Sequence, residues 1–387
     1  MQNTKLTDAI YYIGADDKTL DLFEGQYIVP NGMAYNSYLI KDDKIAVIDT
    51  IDIRATETWF DNLERHLEGK IPDYLIVLHM EPDHAAKIES FLNKYPTTKV
   101  VANNKTFVMI GQFFEHLNLQ DRMIVVNEGD TLNLGKHTLH FIFAPMIHWP
   151  EVMMAYEDKE KILFSADAFG KFGSLDTDED WTCEARRYYF NIVGKYGAQV
   201  QNLLQKAATL NIQKIFPLHG PMLTDNLSYY IGKYNIWSAY EPEDKGVLIA
   251  FTSIYGHTKQ AAFKLKEMLE AKNIKVAITD LARDDMAEAL EDAFRYDRMI
   301  LASPTYDTGI FPAMENFILH LKGKNYQNRT VGFIENGSWA PMSGKKMRTQ
   351  MQTCKNIRFL NTMLSIKSAL KDADIAVLQA MADELEN

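Results

Sequence analysis

From residue 246 to the end of the chain, short apolar stretches alternate with stretches typical of helices, and this pattern constrains the fold most strongly. Such an alternation is typical of a doubly wound parallel sheet, here with five strands. The predicted strands are 246–251, 275–280, 298–303, 330–335 and 363–366, and the predicted helices are 258–271, 285–295, 313–322, 343–355 and one from 371.

The first two thirds of the chain predict strands joined by loops, with helices interspersed. This mixture favours packed sheets with helices outside them, an αβ layered domain. The predicted strands are 45–50, 74–78, 138–143, 152–157, 161–166 and 213–218, with helices near 55–68, 83–94 and 195–209. The polar segment 240–246 predicts a linker. We therefore expect two domains, residues 1–242 and 246–387, in a chain of 387 residues.

Composition excludes several classes of protein. The chain carries 41 basic and 52 acidic residues, a net charge of −11, which argues against non-specific binding to a nucleic acid backbone. Its two cysteines, Cys183 and Cys354, exclude a disulfide framework, a four-cysteine iron–sulfur or rubredoxin centre and a cysteine-based structural zinc site. This usage predicts a cytoplasmic protein. No window approaches 18 apolar residues, so we expect no membrane-spanning helix.

Potential metal ligands are concentrated in the stretch His79-Met80-Glu81-Pro82-Asp83-His84, directly after an apolar run. A strand that ends in such a cluster delivers its ligands at a sheet edge, where loops can fold around an ion. Three other predicted strands are also followed by a potential ligand, and the ligands are His148, Asp167 and His219.

Each of these residues also has an ordinary structural explanation. A single histidine after a strand is usually a loop residue, Asp167 alone could cap a helix or stabilise a turn, and residues 79–84 could form a solvated acidic turn. Four strand ends that all carry such residues favour a metal site over these explanations. The histidines outside this context are interpreted as non-ligands: His66, His116, His137, His140 and His320.

Seven candidate ligands are too many for one ion and fit two. The four imidazoles and three carboxylates suit iron, while a pair of zinc ions is also compatible with them. Two ferric ions carry two more positive charges than two ferrous ions, and the carboxylates help to stabilise them. The candidate ligands are His79, Glu81, Asp83, His84, His148, Asp167 and His219.

At these residues the chain resembles the metallo-β-lactamase fold, an αββα sandwich. Zinc hydrolases of that fold carry histidine at the third position of the motif. This chain has Glu81 there, and in this it resembles the flavodiiron proteins. The resemblance implies a first iron held by His79, Glu81 and His148. It implies a second held by Asp83, His219 and His84, with Asp167 as a bridge. His84 occupies the least uniform ligand position of the family. Trp149 and Asp49 are candidates for supporting these ligands.

A second site is predicted where the strand 246–251 ends. The loop 252–258 offers three hydroxyls and a run of backbone N–H groups at a helix N-terminus, which is a binding site for a phosphate. It lacks the lysine of a nucleotide-binding P-loop and the glycine pattern of a dinucleotide site. A phosphate monoester such as FMN fits better than either, although the loop alone could be a simple helix cap.

Two more loops follow the third and fourth strands of this domain, where ligands bind in open parallel sheets. Tyr306 and Trp339 could flank a flat ring there, or could be core residues. The stretch from 246 resembles flavodoxin, with His257 where flavodoxins commonly carry asparagine. The candidate FMN-binding residues are Thr252, Ser253, Ile254, Tyr255, Gly256, His257, Thr258, Ser303, Pro304, Thr305, Tyr306, Asp307, Thr308, Glu335, Asn336, Gly337, Ser338 and Trp339.

The resemblance to flavodiiron proteins covers nearly the whole chain and is that of their minimal two-domain class. It implies FMN, two non-haem irons, and reduction of dioxygen to water, of nitric oxide to nitrous oxide, or of both. It also implies a head-to-tail homodimer and an external electron donor such as rubredoxin or a reduced flavin or deazaflavin system. Two alternatives remain open: a dizinc hydrolase with an appended flavodoxin domain, and a non-enzymatic electron carrier with a vestigial metal site.

Overall fold

A computed structural model describes residues 4–386. The chain forms two compact units, Met1–Tyr188 with Ala198–Tyr234 and Tyr189–Gly197 with Asn235–Asn387. Each unit thus takes residues from two separate stretches of sequence. The division at 242–246 into independent domains stays a prediction, because compactness alone does not show that either part folds by itself.

The first unit contains a six-stranded sheet that begins antiparallel and continues parallel. Its inner strands are almost continuously buried, because they are covered on both faces. In sheet order its strands are Ile10–Tyr12, Tyr38–Lys41, Ile45–Ile48, Tyr74–Ile76, Lys99–Ala102 and Met123–Val125. Two small ribbons lie beside it, Ala15–Asp17 with Met33–Tyr35 and Leu22–Phe23 with Tyr27–Ile28.

A second sheet of five strands packs against the first. The Tyr38 ring of the first sheet lies 5.2 Å from the Phe164 ring and 5.5 Å from the Phe216 ring of the second. The strands predicted over 152–157 and 161–166 are present and pair antiparallel through a short turn at 158–160. In order the strands are Thr131–Asn133, Thr138–Phe143, Met153–Glu157, Ile162–Phe164 and Lys214–Phe216.

The helix predicted over 83–94 is broken into two, Pro82–Ala85 and Ile88–Lys94. The backbone N–H and the hydroxyl of Thr50 both donate to the His84 carbonyl, at 2.8 and 2.7 Å. That carbonyl is thereby taken from the helical ladder, so the helix ends where the candidate ligands lie.

Other helices of the first unit were predicted only in part. The helices near 55–68 and 195–209 are present, while three further helices were not predicted. The helices are Thr56–Leu67, Asn104–Phe113, Trp181–Tyr188, Gly197–Ala207 and Leu227–Ser238, and a short turn at Ile53–Ala55 precedes the first of them. Two further irregular turns, Tyr189–Val193 and Gly194–Tyr196, lie in the segment that belongs to the second unit.

The second unit confirms the predicted doubly wound sheet. In order its parallel strands are Val276–Asp280, Asp244–Phe251, Tyr296–Tyr306, Thr330–Asn336 and then Arg358–Phe359 and Leu364–Ile366, with Gly309–Ile310 antiparallel to the third. This is the flavodoxin strand order, with the first strand second in the sheet. The helices are His257–Glu270, Met286–Arg295, Pro312–Gly323, Ser343–Met351 and Asp372–Glu386.

The segment Tyr189–Gly197 belongs to the second unit because of aromatic packing. Phe190 stacks on Phe294 with ring centroids 4.3 Å apart, and the Tyr240 hydroxyl donates to the Gly194 carbonyl at 2.8 Å. Among residues 4–386, no helix is both long and apolar enough to cross a membrane.

Candidate metal centre and flavin cavity

All seven predicted metal ligands converge in the first unit. They form two groups, and within each group one ligand atom per residue lies within 4.8 Å of every other. The first group is His79, Glu81, His148 and Asp167, and the second is Asp83, His84 and His219. The other histidines of the described chain belong to neither group.

Asp167 lies between the two groups and presents one oxygen to each. Its Oδ2 is 3.3 Å from His79 Nε2 and 3.1 Å from His148 Nε2. Its Oδ1 is 3.5 Å from His84 Nε2 and 3.8 Å from His219 Nε2. A carboxylate placed in this way can bridge two ions, one bound at each group.

Backbone constraints place the ligands of the loop 79–84. Pro82 occupies the first turn of the short helix, and Glu81 precedes it in an extended conformation. Asp49, which is fully buried, accepts hydrogen bonds from the backbone N–H groups of Leu78 and His79 at 2.8 and 3.3 Å. Asp49 therefore fixes the end of the strand from which the loop departs.

The charges of the cluster are incompletely satisfied by the protein. His79 Nε2, both oxygens of Asp83 and both oxygens of Asp167 are buried without a hydrogen-bond partner in the described chain. Burial raises the pKa of Asp83 to about 7. Burial also opposes ionisation of Asp167, but His79 and His148 hold the pKa of that carboxyl well below its usual range. Buried carboxylates and imidazole nitrogens without partners fit two metal cations.

Hydrogen bonds to the far ring nitrogens orient two of the imidazoles. His79 Nδ1 lies 2.8 Å from Glu151 Oε1, and His219 Nδ1 lies 2.8 Å from the carbonyl oxygen of Ala34. In both cases Nδ1 donates the hydrogen bond, so Nε2 is the nitrogen directed into the cluster, where it could bind a metal. Glu151 was not predicted from the sequence, because it follows no strand and matches no ligand spacing.

An apolar wall surrounds the cluster. The rings of Phe23, Tyr35 and Tyr188 lie 5.5, 6.0 and 5.6 Å from the His219 ring, and the Trp149 ring lies 5.4 Å from His79. This wall excludes water and strengthens the electrostatic interactions within the site. Three of these residues come from segments that carry no metal-binding pattern, so the sequence alone did not reveal them.

In the second unit the three predicted loops meet around one cavity of about 840 Å³ at the carboxyl ends of the strands. It is large enough for a flavin mononucleotide and lies where such sheets bind ligands. Its lining residues are Ser253, Ile254, Tyr255, His257, Thr258, Pro304, Thr305, Tyr306, Asp307, Thr308, Asn336, Gly337, Ser338, Trp339, Ala340, Met342 and Ser368.

The loop before the first helix of this unit suits a phosphate. Ser253 Oγ accepts from the backbone N–H groups of Gly256 and Lys259 at 3.1 and 3.3 Å. Gly256 has φ of +93°, which lets the chain turn sharply into the helix that begins at His257. The helix N-terminus and the hydroxyls of Ser253 and Thr258 thus border one end of the cavity.

Four predicted residues lie outside the lining and support the loops. Thr252 is buried and donates to Ser303 Oγ at 3.2 Å. Glu335 accepts from the backbone N–H of Gly344 at 2.8 Å and from Ser365 Oγ at 2.9 Å. Together with Gly256, these residues shape the cavity from behind. Conversely, the sequence did not predict that Ala340, Met342 and Ser368 would line it.

The aromatic residues of the cavity are exposed. Tyr255 and Trp339 each expose 91% of their surface, and Tyr306 exposes 45%. The alternative that Tyr306 and Trp339 are core residues is therefore wrong. Exposed rings beside a deep cavity are suited to stacking on a flat ligand such as an isoalloxazine.

Two family models match separate parts of the chain. Residues 33–220 match the family model described as ODP family beta lactamase, and residues 248–362 match a flavodoxin domain. A nitric oxide reductase from Moorella thermoacetica is 28% identical over 92% of this chain and 90% of its own length. A rubredoxin-oxygen oxidoreductase from Megalodesulfovibrio gigas is 26% identical over 100% of this chain and 98% of its own.

The fold is shared with a solved structure. The crystal structure of the flavodiiron protein from Giardia intestinalis superposes with a TM-score of 0.93, covering 100% of this chain and 96% of that chain at 22% identity. The paired ligand groups and the phosphate-binding loop fit the two cofactors of that family, a diiron centre and FMN. With a region that matches a β-lactamase family model, a region that matches a flavodoxin domain, and relatives similar over its whole length, the chain has the fold and the domain order of that flavodiiron protein.

Proposed function

We propose that this chain accepts electrons through FMN and delivers them to a non-haem diiron site, where dioxygen is reduced to water, nitric oxide to nitrous oxide, or both. The position of Asp167, with one oxygen toward each ligand group, carries the proposal. Two metals, if held by these ligand groups and the shared carboxylate, would supply redox chemistry for one small molecule.

The names of the relatives support this proposal. One is called a nitric oxide reductase and the other a rubredoxin-oxygen oxidoreductase. Neither name is that of a hydrolase, so the comparisons favour redox chemistry over the dizinc alternative. The complete ligand set speaks against a vestigial metal site in a simple electron carrier.

We assign the first iron to His79, Glu81 and His148 and the second to Asp83, His84 and His219, with Asp167 shared. Bound iron would supply the electrons that the gas accepts. The protein's part is to hold the ligand atoms in place, to orient His79 and His219 with Nε2 toward the cluster, and to enclose the site with aromatic rings. We assign FMN binding to the three predicted loops around the cavity of the second unit.

Anaerobic reductive titration of the purified protein tests the proposal. The protein should contain about one FMN and two irons per chain. After full reduction, addition of dioxygen or of nitric oxide should reoxidise both centres within a few turnovers, and product analysis would show which gas is preferred. Two zinc ions and no iron, after expression with ample iron, would contradict the redox function.

We further propose a head-to-tail homodimer in which the flavin of one chain serves the irons of the other. Electron transfer weakens steeply with distance, and a two-fold arrangement brings both pairs together with one self-complementary interface. The test mixes a variant lacking the metal site, His79→Ala with Asp167→Ala, and a variant lacking flavin, Ser253→Ala with Thr258→Val. Heterodimers should recover partial activity. Demonstrated heterodimers without recovery would contradict transfer between chains.

The donor that we propose is a small rubredoxin-type protein, in line with the name of one relative. A reduced flavin or deazaflavin system is the alternative donor. We place the protein in the cytoplasm, because it has only two cysteines and no disulfide joins them. Steady-state assays with each donor, in otherwise identical conditions, would distinguish them by the rate of FMN reduction.

A further inference from the structure

Glu151 is a buried carboxylate that touches the metal cluster without belonging to either ligand group. It exposes 1% of its surface. Its Oε1 lies 2.8 Å from His79 Nδ1 and accepts from the Met80 backbone N–H at 2.9 Å. Its Oε2 is buried and has no hydrogen-bond partner in the described chain. Burying a carboxylate with one oxygen unpaired costs free energy, unless a positive charge nearby compensates for it.

The backbone around Glu151 is fixed from two sides. Its carbonyl accepts from Asn103 Nδ2 at 2.6 Å, and it lies three residues after His148. The residue after next, Met153, donates its backbone N–H to the Leu78 carbonyl at 3.1 Å. The carboxylate is therefore held against the end of the strand that delivers His79, and its position does not depend on a flexible loop.

Among residues 4–386, no carboxylate contacts the far ring nitrogen of either histidine in the second ligand group. There the far nitrogen of His219 contacts the neutral carbonyl of Ala34, also at 2.8 Å. The distance from Nδ1 to its acceptor is the same for His79 and His219, but the acceptor of His79 is a carboxylate and that of His219 is a neutral carbonyl. An imidazole that donates to a carboxylate is a more basic ligand than one that donates to a carbonyl, because the negative charge stabilises the positive charge that the ring gains when it binds a proton or a metal.

We propose that Glu151 is a positioning residue that makes the two metal positions unequal. It holds His79 with Nε2 toward the first metal, and its charge favours the more highly charged state of that metal over the same state at the second position. The proposal rests on the assignment of His79 to a bound iron made above. It also accounts for the cost of burying Glu151: two ferrous ions bring four positive charges, the carboxylate ligands of the cluster supply three negative ones, and Glu151 supplies the fourth.

Substitution of Glu151 by glutamine separates charge from shape. Glu151→Gln keeps an oxygen acceptor for His79 and Met80 and removes the charge, while Glu151→Leu removes both. A matched control is Glu157→Gln: Glu157 is fully buried and accepts backbone N–H groups of Lys159 and Glu160 at 2.9 and 2.7 Å, but contacts no ligand. All three are made in the full-length chain.

Two measurements on the iron-loaded protein decide the matter: competition with a ferrous chelator and a redox titration followed by the spectrum of the diiron centre. In Glu151→Gln we expect one of the two irons to bind about 10–100-fold more weakly, and the first oxidation to move to a more positive potential. The loss in Glu151→Leu should be larger. Glu157→Gln should match the unaltered protein in both measurements.

Unchanged affinities and potential in iron-loaded Glu151→Gln would overturn the proposal. Equal weakening of both irons, or a metal-free Glu151→Gln chain that melts at a lower temperature than metal-free Glu157→Gln, would show a merely structural role and overturn it as well. If the unaltered chain itself binds no iron, it is the proposed function that fails, so the two failures are distinct.

Discussion

The metal cluster and the flavin cavity are built on opposite principles. Within the cluster the ligand atoms already lie within 4.8 Å of one another in each group, and Asp167, His79, His84 and His219 are fully buried. The flavin cavity is open, and two of its aromatic residues, Tyr255 and Trp339, are 91% exposed. The free-energy cost of arranging the metal ligands is therefore met during folding, whereas the flavin site is completed only when its ligand binds.

This difference follows from the chemistry of the ligands. A small cation is bound by a few short contacts, which need side chains fixed in advance by hydrogen bonds such as those of Glu151 and Asp49. FMN offers a large apolar ring and a phosphate, so many weaker contacts share the binding. Single substitutions should accordingly have large effects in the cluster and moderate ones in the cavity.

The largest effect is expected for Asp167→Ala, because one carboxylate serves both groups. We expect loss of both irons and no measurable reduction of dioxygen or nitric oxide, while FMN stays bound. Iron analysis, flavin absorbance and turnover check this outcome. Asp158→Ala, which alters only a half-exposed pair with His140, is the control and should retain all three properties. Normal iron content in Asp167→Ala would show that the two groups do not share this residue.

A strong pH dependence is expected for metal binding to the metal-free chain. Burial raises the pKa of Asp83 to about 7, and Asp167 and Glu81 outweigh burial to raise the pKa of His148 to about 9. Both groups must lose a proton before they can bind a metal, so a rise in pH removes the competing protons and raises the affinity. Between pH 6 and pH 8 the apparent affinity for ferrous iron should rise at least about 100-fold.

Anaerobic chelator competition at a series of pH values measures this dependence. The affinity of the same chain for FMN serves as the control and should change much less, since neither Asp83 nor His148 lines its cavity. An iron affinity that is constant from pH 6 to pH 8 would mean that these two residues are not ligands.

In the flavin cavity, two threonines of one loop should differ. Thr258 lines the cavity beside the helix N-terminus, whereas Thr252 donates to Ser303 away from it. Thr258→Val should weaken FMN binding about 10-fold, the loss of one hydrogen bond to a charged group. Thr252→Val should leave the FMN dissociation constant nearly unchanged and lower the free energy of unfolding by about 1 kcal/mol. Flavin fluorescence titration and chemical denaturation measure both; the reverse pattern would place the phosphate elsewhere.

The smallest effect is expected for Trp339→Ala. The indole is 91% exposed, so its removal should not alter the melting temperature of the flavin-free chain. Loss of its stacking on the flavin ring should weaken FMN binding about 2–10-fold. Phe113→Ala, another exposed aromatic residue in the first unit, is the control and should leave FMN binding intact. Unchanged affinity in Trp339→Ala would remove the indole from the flavin site.

Much of the fold was predictable because it follows from local patterns. The alternation after residue 246 predicted the doubly wound sheet. Apolar strands that alternate with helices are buried when they form a parallel sheet whose two faces the helices cover. The helix predicted over 83–94 was wrong in one respect. Its break arises from Thr50, which lies more than 30 residues earlier and takes the His84 carbonyl. No window of local sequence contains that contact.

The sequence by itself determined which residues carry the chemistry: the ligand types at four strand ends and the polar loops of the flavodoxin-like sheet. Only the tertiary structure decided their geometry, because the strands that bring these ends together are far apart in the chain. It decided that Asp167 faces both ligand groups, that Thr252 and Ser303 support the cavity from behind, and that Glu151 contacts His79. Residue type is a local property, whereas distance and burial are set by the packing of the whole sheet.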